Sequence, residues 1–147
     1  MMIRPLEPQD TDTVLEIWLQ GSVSAHGFVP RSYWEDKLDE MRNRYLPNSR
    51  TFVYLDDSTG AVCGFISLIE NYVAALFVAS DRQRKGIGHS LLQWAGSLYP
   101  TLELSVYAEN ERAVRFYLRE GFEIRHEQTD AGTGHKELHL QLRNEKF

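Results

Sequence analysis

The sequence contains a single cysteine, Cys63, among its 147 residues. One thiol cannot form an internal disulfide, and its place in an apolar stretch favours a small core residue over a nucleophile. The chain has no apolar run approaching the roughly 20 residues of a membrane-spanning helix, and its first residues have no signal-peptide core. We therefore expect a cytoplasmic, bacterial-type protein with no membrane partner.

Positive charge is also scarce. The chain carries 16 lysines and arginines against 21 aspartates and glutamates, a formal net charge of −5. This balance disfavours general nucleic-acid binding, which depends on neutralising phosphates. No cluster of ligating side chains has the spacing of a metal site, so we expect no metal. The length and ordinary composition predict one domain, residues 1–147, acting as a monomer or homodimer.

A basic turn with two glycines joins an apolar stretch, residues 74–78, to a helical pattern that starts near Ile87. A helix start exposes backbone N–H groups without helical partners, and the helix dipole adds partial positive charge there. Glycines let a ligand approach that backbone closely, so the turn predicts a phosphate or pyrophosphate site. An ordinary solvated turn is the alternative. The turn reads Gln83-Arg84-Lys85-Gly86-Ile87-Gly88-His89, with Arg82 just before it.

A second motif, residues 110–122, follows the strand pattern at 102–106. Asn110 is suited to cap a helix, and Gly121 to follow its end. Ala113, Phe116 and Tyr117 follow the cap on one face of the helix. Phe116 is expected to pack in the core, whereas the Tyr117 hydroxyl needs a hydrogen-bond partner if it is buried. The basic residues Arg112, Arg115 and Arg119 are expected on a solvated helix face balanced by Glu109, Glu111 and Glu120, although they could also add to the basic patch.

The two motifs, in this order, closely resemble those of the GCN5-related N-acetyltransferase (GNAT) family. The family's phosphate loop, Gln/Arg-x-x-Gly-x-Gly/Ala, is matched by residues 83–88. Its later motif, Asn-x-x-Ala-x-x-Phe-Tyr-x-x-x-Gly-Phe, is matched at every fixed position by residues 110–122. The strong match covers roughly residues 72–122, and the chain is similar to the small single-domain bacterial members of the family.

The order of predicted elements is β-α-α-β-β-β-α-β-α-β-β. It predicts the α/β class with a mixed, α+β type of sheet flanked by helices, and right-handed crossovers in its second half. The second predicted helix carries apolar residues at 34, 38, 41 and 45. The resemblance implies the GNAT-like fold, in which the fourth and fifth strands splay apart into a V-shaped opening. The pantetheine arm of the cofactor would insert there like an extra strand.

The resemblance implies transfer of the acetyl group of acetyl-CoA to a primary amine by direct attack. The Leu76 amide would polarise the thioester carbonyl, and Tyr117 would donate a proton to the departing thiolate. Main-chain groups of Phe77 and Val78 would pair with the pantetheine arm. The remaining implied cofactor contacts are the pyrophosphate loop and the residues that line the thiol end: Gln83, Arg84, Lys85, Gly86, Ile87, Gly88, His89, Asn110, Ala113 and Phe116.

The general base is left open, because the central strand departs from the family pattern. Tyr72, Ala74, Leu76 and Val78 are expected on one face of it and Val73, Ala75 and Phe77 on the other, and none is a carboxylate. The candidates, each acting through a water, are Glu70, Glu103 and the loop residue His26, which is also interpretable as a surface histidine. Tyr72 is interpreted as a wall of the acceptor pocket. Alternation with leucines places His135 and His139 away from the core.

Two hypotheses of different classes therefore stand. The first is an amine acetyltransferase acting on a small molecule, a protein lysine or an N-terminus. The second is an acyl-CoA-binding regulatory module without turnover. The missing strand carboxylate favours the second hypothesis, whereas Tyr117 favours the first. A dinucleotide-binding oxidoreductase is set aside because Leu91 stands where the third glycine of that motif belongs.

Overall fold

A computed structural model describes residues 2–143 of the chain. Seven strands form one sheet in the order β1-β2-β3-β4-β5-β7-β6, in which only β4 and β5 are parallel neighbours. The predicted mixed sheet is therefore confirmed. The strands are β1 Met2–Pro5, β2 Arg50–Leu55, β3 Val62–Ile69, β4 Tyr72–Val78, β5 Thr101–Tyr107, β6 Glu123–Thr129 and β7 Lys136–Arg143.

Helices cover both faces of this sheet. They are α1 Thr11–Ala25, α2 Arg31–Glu35, α3 Leu38–Glu40, α4 Ile87–Leu98 and α5 Glu111–Arg119, with short 3-10 turns at Pro8–Asp10 and Ser80–Arg82. Within residues 2–143, no helix combines the length and the apolar character needed to cross a membrane.

The second predicted helix is broken into pieces. After α2 and α3 the chain continues as a π-helical segment, Met41–Tyr45. A π turn holds more residues than an α turn, so it rotates the following side chains around the axis. Leu46 is consequently buried, and Tyr45, the last residue of the predicted apolar stripe, is exposed.

Each face of the sheet carries its own apolar core. On one face, Ile66, Leu104 and Leu140 pack with Leu91 of α4. On the other, Val53 and Phe65 pack with α1 and α2 residues that include Val14, Trp18 and Trp34. The sheet is therefore the middle layer of a three-layer fold.

A β-bulge interrupts β4 and corrects the predicted faces of this strand. Ser67 of β3 pairs with Ala75, but the next β3 residue, Leu68, pairs with Val73, which leaves Ala74 unpaired. One extra residue reverses the alternation of side chains. Val73 therefore joins the same core as Leu76 and Val78, not the core of Ala75 and Phe77 as expected.

β4 and β5 form the V-shaped opening that the resemblance implied. Their only paired residues are Tyr72 and Glu103, next to a bond from the Glu103 N–H to the Asn71 carbonyl at 3.0 Å. Beyond this point neither strand pairs with the other within the described residues. The backbone of β4 is thereby available to a ligand along its C-terminal half.

Candidate active site

A groove of about 1320 Å³ lies at the open ends of β4 and β5, between α1 and the N-termini of α4 and α5. It brings together the two sequence motifs, which lie more than twenty residues apart in the chain. Lys85 is exposed beside it. The other predicted catalytic and cofactor residues line it: Leu76, Phe77, Val78, Gln83, Arg84, Gly86, Ile87, Gly88, His89, Asn110, Ala113, Phe116 and Tyr117.

The phosphate loop turns its backbone sharply before α4. Gly86 caps the helix with φ 79°, and Arg84 has φ 66°. Glycine adopts this left-handed conformation without strain, whereas a side chain such as that of Arg84 costs about 1 kcal/mol. The first helical bond runs from Ser90 N–H to the Gly86 carbonyl, so the amides of residues 87–89 have no helical partner. These amides and the helix dipole suit the groove to an anion.

Arg82 anchors this loop and does not offer its charge to a ligand, as the sequence had suggested. Its guanidinium forms an ion pair with Asp56 of the β2–β3 turn and lies 3.7 Å from the Asp81 carboxylate. The same Asp56 accepts hydrogen bonds from the Ser58 and Thr59 amides at 2.7 and 3.0 Å. The loop is thereby tied to the β2–β3 turn of the neighbouring hairpin.

The arginines of α5 are not balanced by glutamates in the predicted way. Glu120 bonds to His89 Nδ1 at 2.6 Å, and Glu109 bonds to His135 Nδ1 at 2.8 Å. Three α5 arginines and Arg84 have no ion-pair partner in residues 2–143, and all four line the groove. These four guanidinium groups are therefore available to an anionic ligand, although the groove is also lined by five carboxylates: Glu16, Asp81, Glu109, Glu111 and Glu120. The α5 arginines are Arg112, Arg115 and Arg119.

The main chain of β4 presents Leu76 and Val78 to the opening. The Ala79 N–H donates to the Cys63 carbonyl of β3 at 2.8 Å, and the direction of such bonds alternates along an antiparallel strand. The polar groups of Phe77 therefore point towards β3, which corrects its predicted pairing with the pantetheine arm. The Gln83 side chain donates to the Val78 carbonyl at 3.3 Å.

The later motif builds the opposite wall of the groove. Asn110 caps α5, because its Oδ1 accepts a bond from the Ala113 N–H at 3.4 Å. The Phe116 ring lies directly against Gly88, where a Cβ atom would come within 3.1 Å of Phe116 Cζ. Close contact between α4 and α5 therefore favours glycine at this position, because any side chain would displace the Phe116 ring by a few tenths of an ångström.

Residues 47–124 match the sequence model of the acetyltransferase (GNAT) domain. The chain is 37% identical over 124 residues to the peptidyl-lysine N-acetyltransferase YiaC of Escherichia coli strain K12, covering 84% of each protein. The chain belongs to the GNAT acetyltransferase family.

Solved structures agree with this assignment. The solution structure of apo YjaB from Escherichia coli superposes with a TM-score of 0.84 at 27% identity, covering 95% of each chain. The PaiA N-acetyltransferase of Thermoplasma acidophilum, solved with coenzyme A, gives a TM-score of 0.78 at 21% identity and covers 97% of this chain and 98% of its own. These comparisons confirm the predicted resemblance to small bacterial members and the predicted fold. They also confirm the enzyme class, which is an acetyl-CoA-dependent N-acetyltransferase.

In this acetyltransferase, Tyr117 lies half-buried in the groove wall. Its ring packs edge-on against Phe116 at 5.2 Å and Phe122 at 5.4 Å between centroids. Burial raises the pKa of Tyr117 above its ordinary value, so the hydroxyl stays protonated at neutral pH. The hydroxyl bonds to no described residue, so the partner predicted for it is not supplied by the protein and a bound ligand can take that place.

His26 is buried beside the groove of the acetyltransferase, next to Asn110, and the interpretation of this residue as a surface histidine is wrong. His26 Nε2 lies 3.4 Å from the Asn110 amide nitrogen, and its ring centroid lies 5.1 Å from those of Trp34 and Tyr107. Burial lowers the pKa of His26. The imidazole is therefore neutral near pH 7, and the nitrogen nearest the groove already faces the Asn110 amide.

The two glutamate candidates occupy different settings in the acetyltransferase. Glu70 is an exposed turn residue with φ 52°. Glu103, paired with Tyr72, accepts bonds from His139 Nε2 at 2.8 Å and Asn71 Nδ2 at 3.4 Å. The bond from His139 is the main cause that lowers the pKa of Glu103.

Sequence reasoning missed the contact of His139 with Glu103. The alternation along β7 correctly turned His139 away from the leucine core. The same alternation along β5 turns Glu103 to that face as well, and only the β5–β7 pairing shows that the two side chains meet.

Proposed function

We propose that this enzyme acetylates the amine of a peptidyl lysine by direct attack on acetyl-CoA. The observation that carries the proposal is the single groove that joins the free amides of the α4 N-terminus to the exposed β4 backbone and Tyr117. YiaC, named as a peptidyl-lysine N-acetyltransferase, supports lysine as the acceptor. In this proposal residues 1–147 form one catalytic domain, and a monomer or homodimer stays a prediction.

The cofactor would bind along the groove from the loop to the opening. Its pyrophosphate would accept bonds from the free amides of residues 87–89, with Arg84 and Lys85 adding charge. Its pantetheine arm would pair with the main chain of Leu76 and Val78. The hydrogen bond from the Gln83 side chain to the Val78 carbonyl would then break, because the pantetheine arm would donate to the same oxygen.

The thioester would react where the groove reaches the opening between β4 and β5. The neutral amine nitrogen attacks the carbonyl carbon, the C–S bond breaks, and coenzyme A leaves as a thiolate. The Leu76 N–H would stabilise the negative charge on the carbonyl oxygen, and losing one such donor typically costs about 10²–10³-fold in kcat.

Tyr117 would assist departure of the thiolate. The pKa of a thiol is about 8.5, below that of an ordinary tyrosine and further below that of buried Tyr117. Complete proton transfer from Tyr117 to the thiolate is therefore unfavourable. A hydrogen bond from the Tyr117 hydroxyl would instead stabilise the negative charge that develops on the departing sulfur. The help expected is moderate, near the low end of the roughly 10²–10⁴-fold typical of general acids.

The acceptor would approach from the α1–α2 side of the opening. Tyr72 and Glu103 border the apex of the opening there, and His26 separates this side from Asn110 in the groove. The carboxylate of Glu103 suits a cationic lysine, which carries its charge at neutral pH.

A thiol-release assay with acetyl-CoA tests the proposal. A lysine peptide, its acetyl-lysine counterpart and small amines should be compared at equal concentration, and the lysine peptide should release coenzyme A fastest. The acetyl-lysine peptide is the matched control because it lacks the nucleophile. Tight binding of acetyl-CoA without release by any amine would instead identify the acyl-CoA-binding module, which the carboxylate-free β4 favours.

A further inference from the structure

A carboxylate–imidazole pair, Glu103 and His139, lies on the open face of the sheet outside the cofactor groove. The Glu103 Oε1 and His139 Nε2 atoms are 2.8 Å apart, and the side chains are 36% and 18% exposed. A carboxylate can only accept, so Nε2 carries the proton of the bond. The other ring nitrogen, Nδ1, has no partner in residues 2–143 and is an unoccupied proton acceptor.

The position of the pair follows from strand register. Glu103 is the partner of Tyr72 at the last link between β4 and β5, and His139 lies opposite Ser105, one step further towards the opening. Leu104 packs in the core beneath α4, so Glu103 and Ser105 face the other side of the sheet. The imidazole therefore lies beside the apex of the opening, on the side from which the acceptor would approach.

We propose that His139, oriented by Glu103, is the general base that takes a proton from the acceptor ammonium through a water molecule. This assignment rests on the proposed amine acetylation. His139 would be the catalytic base and Glu103 a positioning residue, since both Glu103 oxygens already accept hydrogen bonds. An imidazole is the side chain whose ordinary titration range suits a base at neutral pH.

Two protons move in the proposed reaction. One proton passes from the ammonium through water to His139 Nδ1, which gives an imidazolium bonded to the Glu103 anion. The neutral amine then attacks the thioester carbon, and the C–S bond breaks. A second proton leaves the adduct nitrogen and neutralises the thiolate, and the imidazolium returns its proton to solvent. The products are the amide, coenzyme A and one released proton.

The groups around His139 define the controls. His126 of β6 stacks on the ring at 4.8 Å and 8° but does not bond to Glu103. Glu137, next on that face of β7, accepts from Gln128, and Arg125 of β6 bonds to Gln141. Glu103 is thus the one charged group bonded to the imidazole within the part of the chain that the structure describes.

The test is the pH dependence of kcat/KM for a lysine peptide, between about pH 5 and pH 9. The wild-type kcat/KM should rise with pH to a plateau, which is reached once the base has lost its proton. His139→Gln keeps a donor for Glu103 but cannot titrate. Its rate should fall by about 10²–10³-fold at pH 7 and then rise tenfold per pH unit, following the free amine.

Two further variants sharpen the result. Glu103→Gln removes the anion beside the imidazolium and should move the rising limb to lower pH by about one unit. His126→Gln should keep the wild-type midpoint and a rate within about twofold, because His126 only stacks on His139, and its own hydrogen bond, from Nε2 to Gln128 Oε1 at 3.1 Å, lies outside the pair. Acetyl-CoA binding, measured by calorimetry, should be unchanged in all three, since the pair lies outside the groove.

The outcomes separate the two proposals. If the wild type turns over and His139→Gln retains its plateau and its rate within about threefold, the base assignment is wrong and amine acetylation stands. If the wild type binds acetyl-CoA but releases no coenzyme A with any amine, both are contradicted.

Discussion

Phe116 of α5 lies directly against Gly88 of α4 in the lining of the cofactor groove, and a Cβ atom on Gly88 would lie 3.1 Å from Phe116 Cζ. Gly88→Ala should push the ring aside by a few tenths of an ångström and disturb the amide meant for the pyrophosphate. We expect a roughly three- to tenfold loss of acetyl-CoA affinity by calorimetry, about 1 kcal/mol. Gly27→Ala, where nothing lies within 4 Å, is the control. Equal affinity in both variants would contradict the close contact.

Gly86 tests the anion site itself. Its φ of 79° strains any side chain, but no atom lies within 4 Å of the position that a Cβ atom would take, so an added side chain has room. Gly86→Asp adds both this strain and a negative charge where phosphate would bind, and should weaken acetyl-CoA binding at least tenfold. Gly86→Asn has nearly the same shape without the charge and should lose much less. Similar losses in both would mean that strain, not charge, explains the effect.

Tyr117→Phe removes a hydroxyl that bonds to nothing in the described protein. The fold should therefore keep its thermal stability, and the packing on Phe116 and Phe122 should survive. We expect kcat to fall about 100-fold with little change in acetyl-CoA binding. A kcat within about threefold of wild type, measured while chemistry limits the rate, would assign Tyr117 to packing alone.

His26 should make the stability of the fold depend on pH. Burial lowers its pKa in the folded state below the ordinary value of about 6.5, so the unfolded chain binds the proton more readily. The stabilisation is complete above about pH 6.5 and is lost as the pH falls towards the folded-state pKa, by at most about 1.4 kcal/mol per pH unit. Urea unfolding should show this slope in the wild type and a flatter profile in His26→Gln. Identical slopes would contradict the buried, neutral histidine.

Features encoded by neighbouring residues were predictable from the sequence. The phosphate loop depends on Gly86 and the helix that follows, and the α5 cap depends on Asn110, so local patterns identified both. The face pattern of β4 was not predictable, because the bulge at Ala74 arises from pairing with β3. The break in the second helix likewise reflects a π turn that the apolar spacing did not signal.

Contacts between distant residues were also beyond the sequence. Arg82 and Asp56 are 26 positions apart, and Glu103 and His139 are 36 apart. The sequence predicted Arg82 beside the phosphate turn and Glu103 as a candidate base, but it did not identify the partner of either residue. These two pairings changed the predicted site most. The ion pair with Asp56 removes the charge of Arg82 from the phosphate loop, and the contact with Glu103 makes His139 a candidate base.

The most direct test of the proposed activity is transfer of the acetyl group itself. Purified protein, acetyl-CoA and a lysine peptide should yield one acetylated peptide, identified by mass spectrometry, for each coenzyme A thiol released. Tandem fragmentation should place the acetyl group on the lysine side-chain nitrogen. Thiol release without peptide acetylation, or acetyl-CoA binding without either product, would contradict the central claim that this groove catalyses amine acetylation.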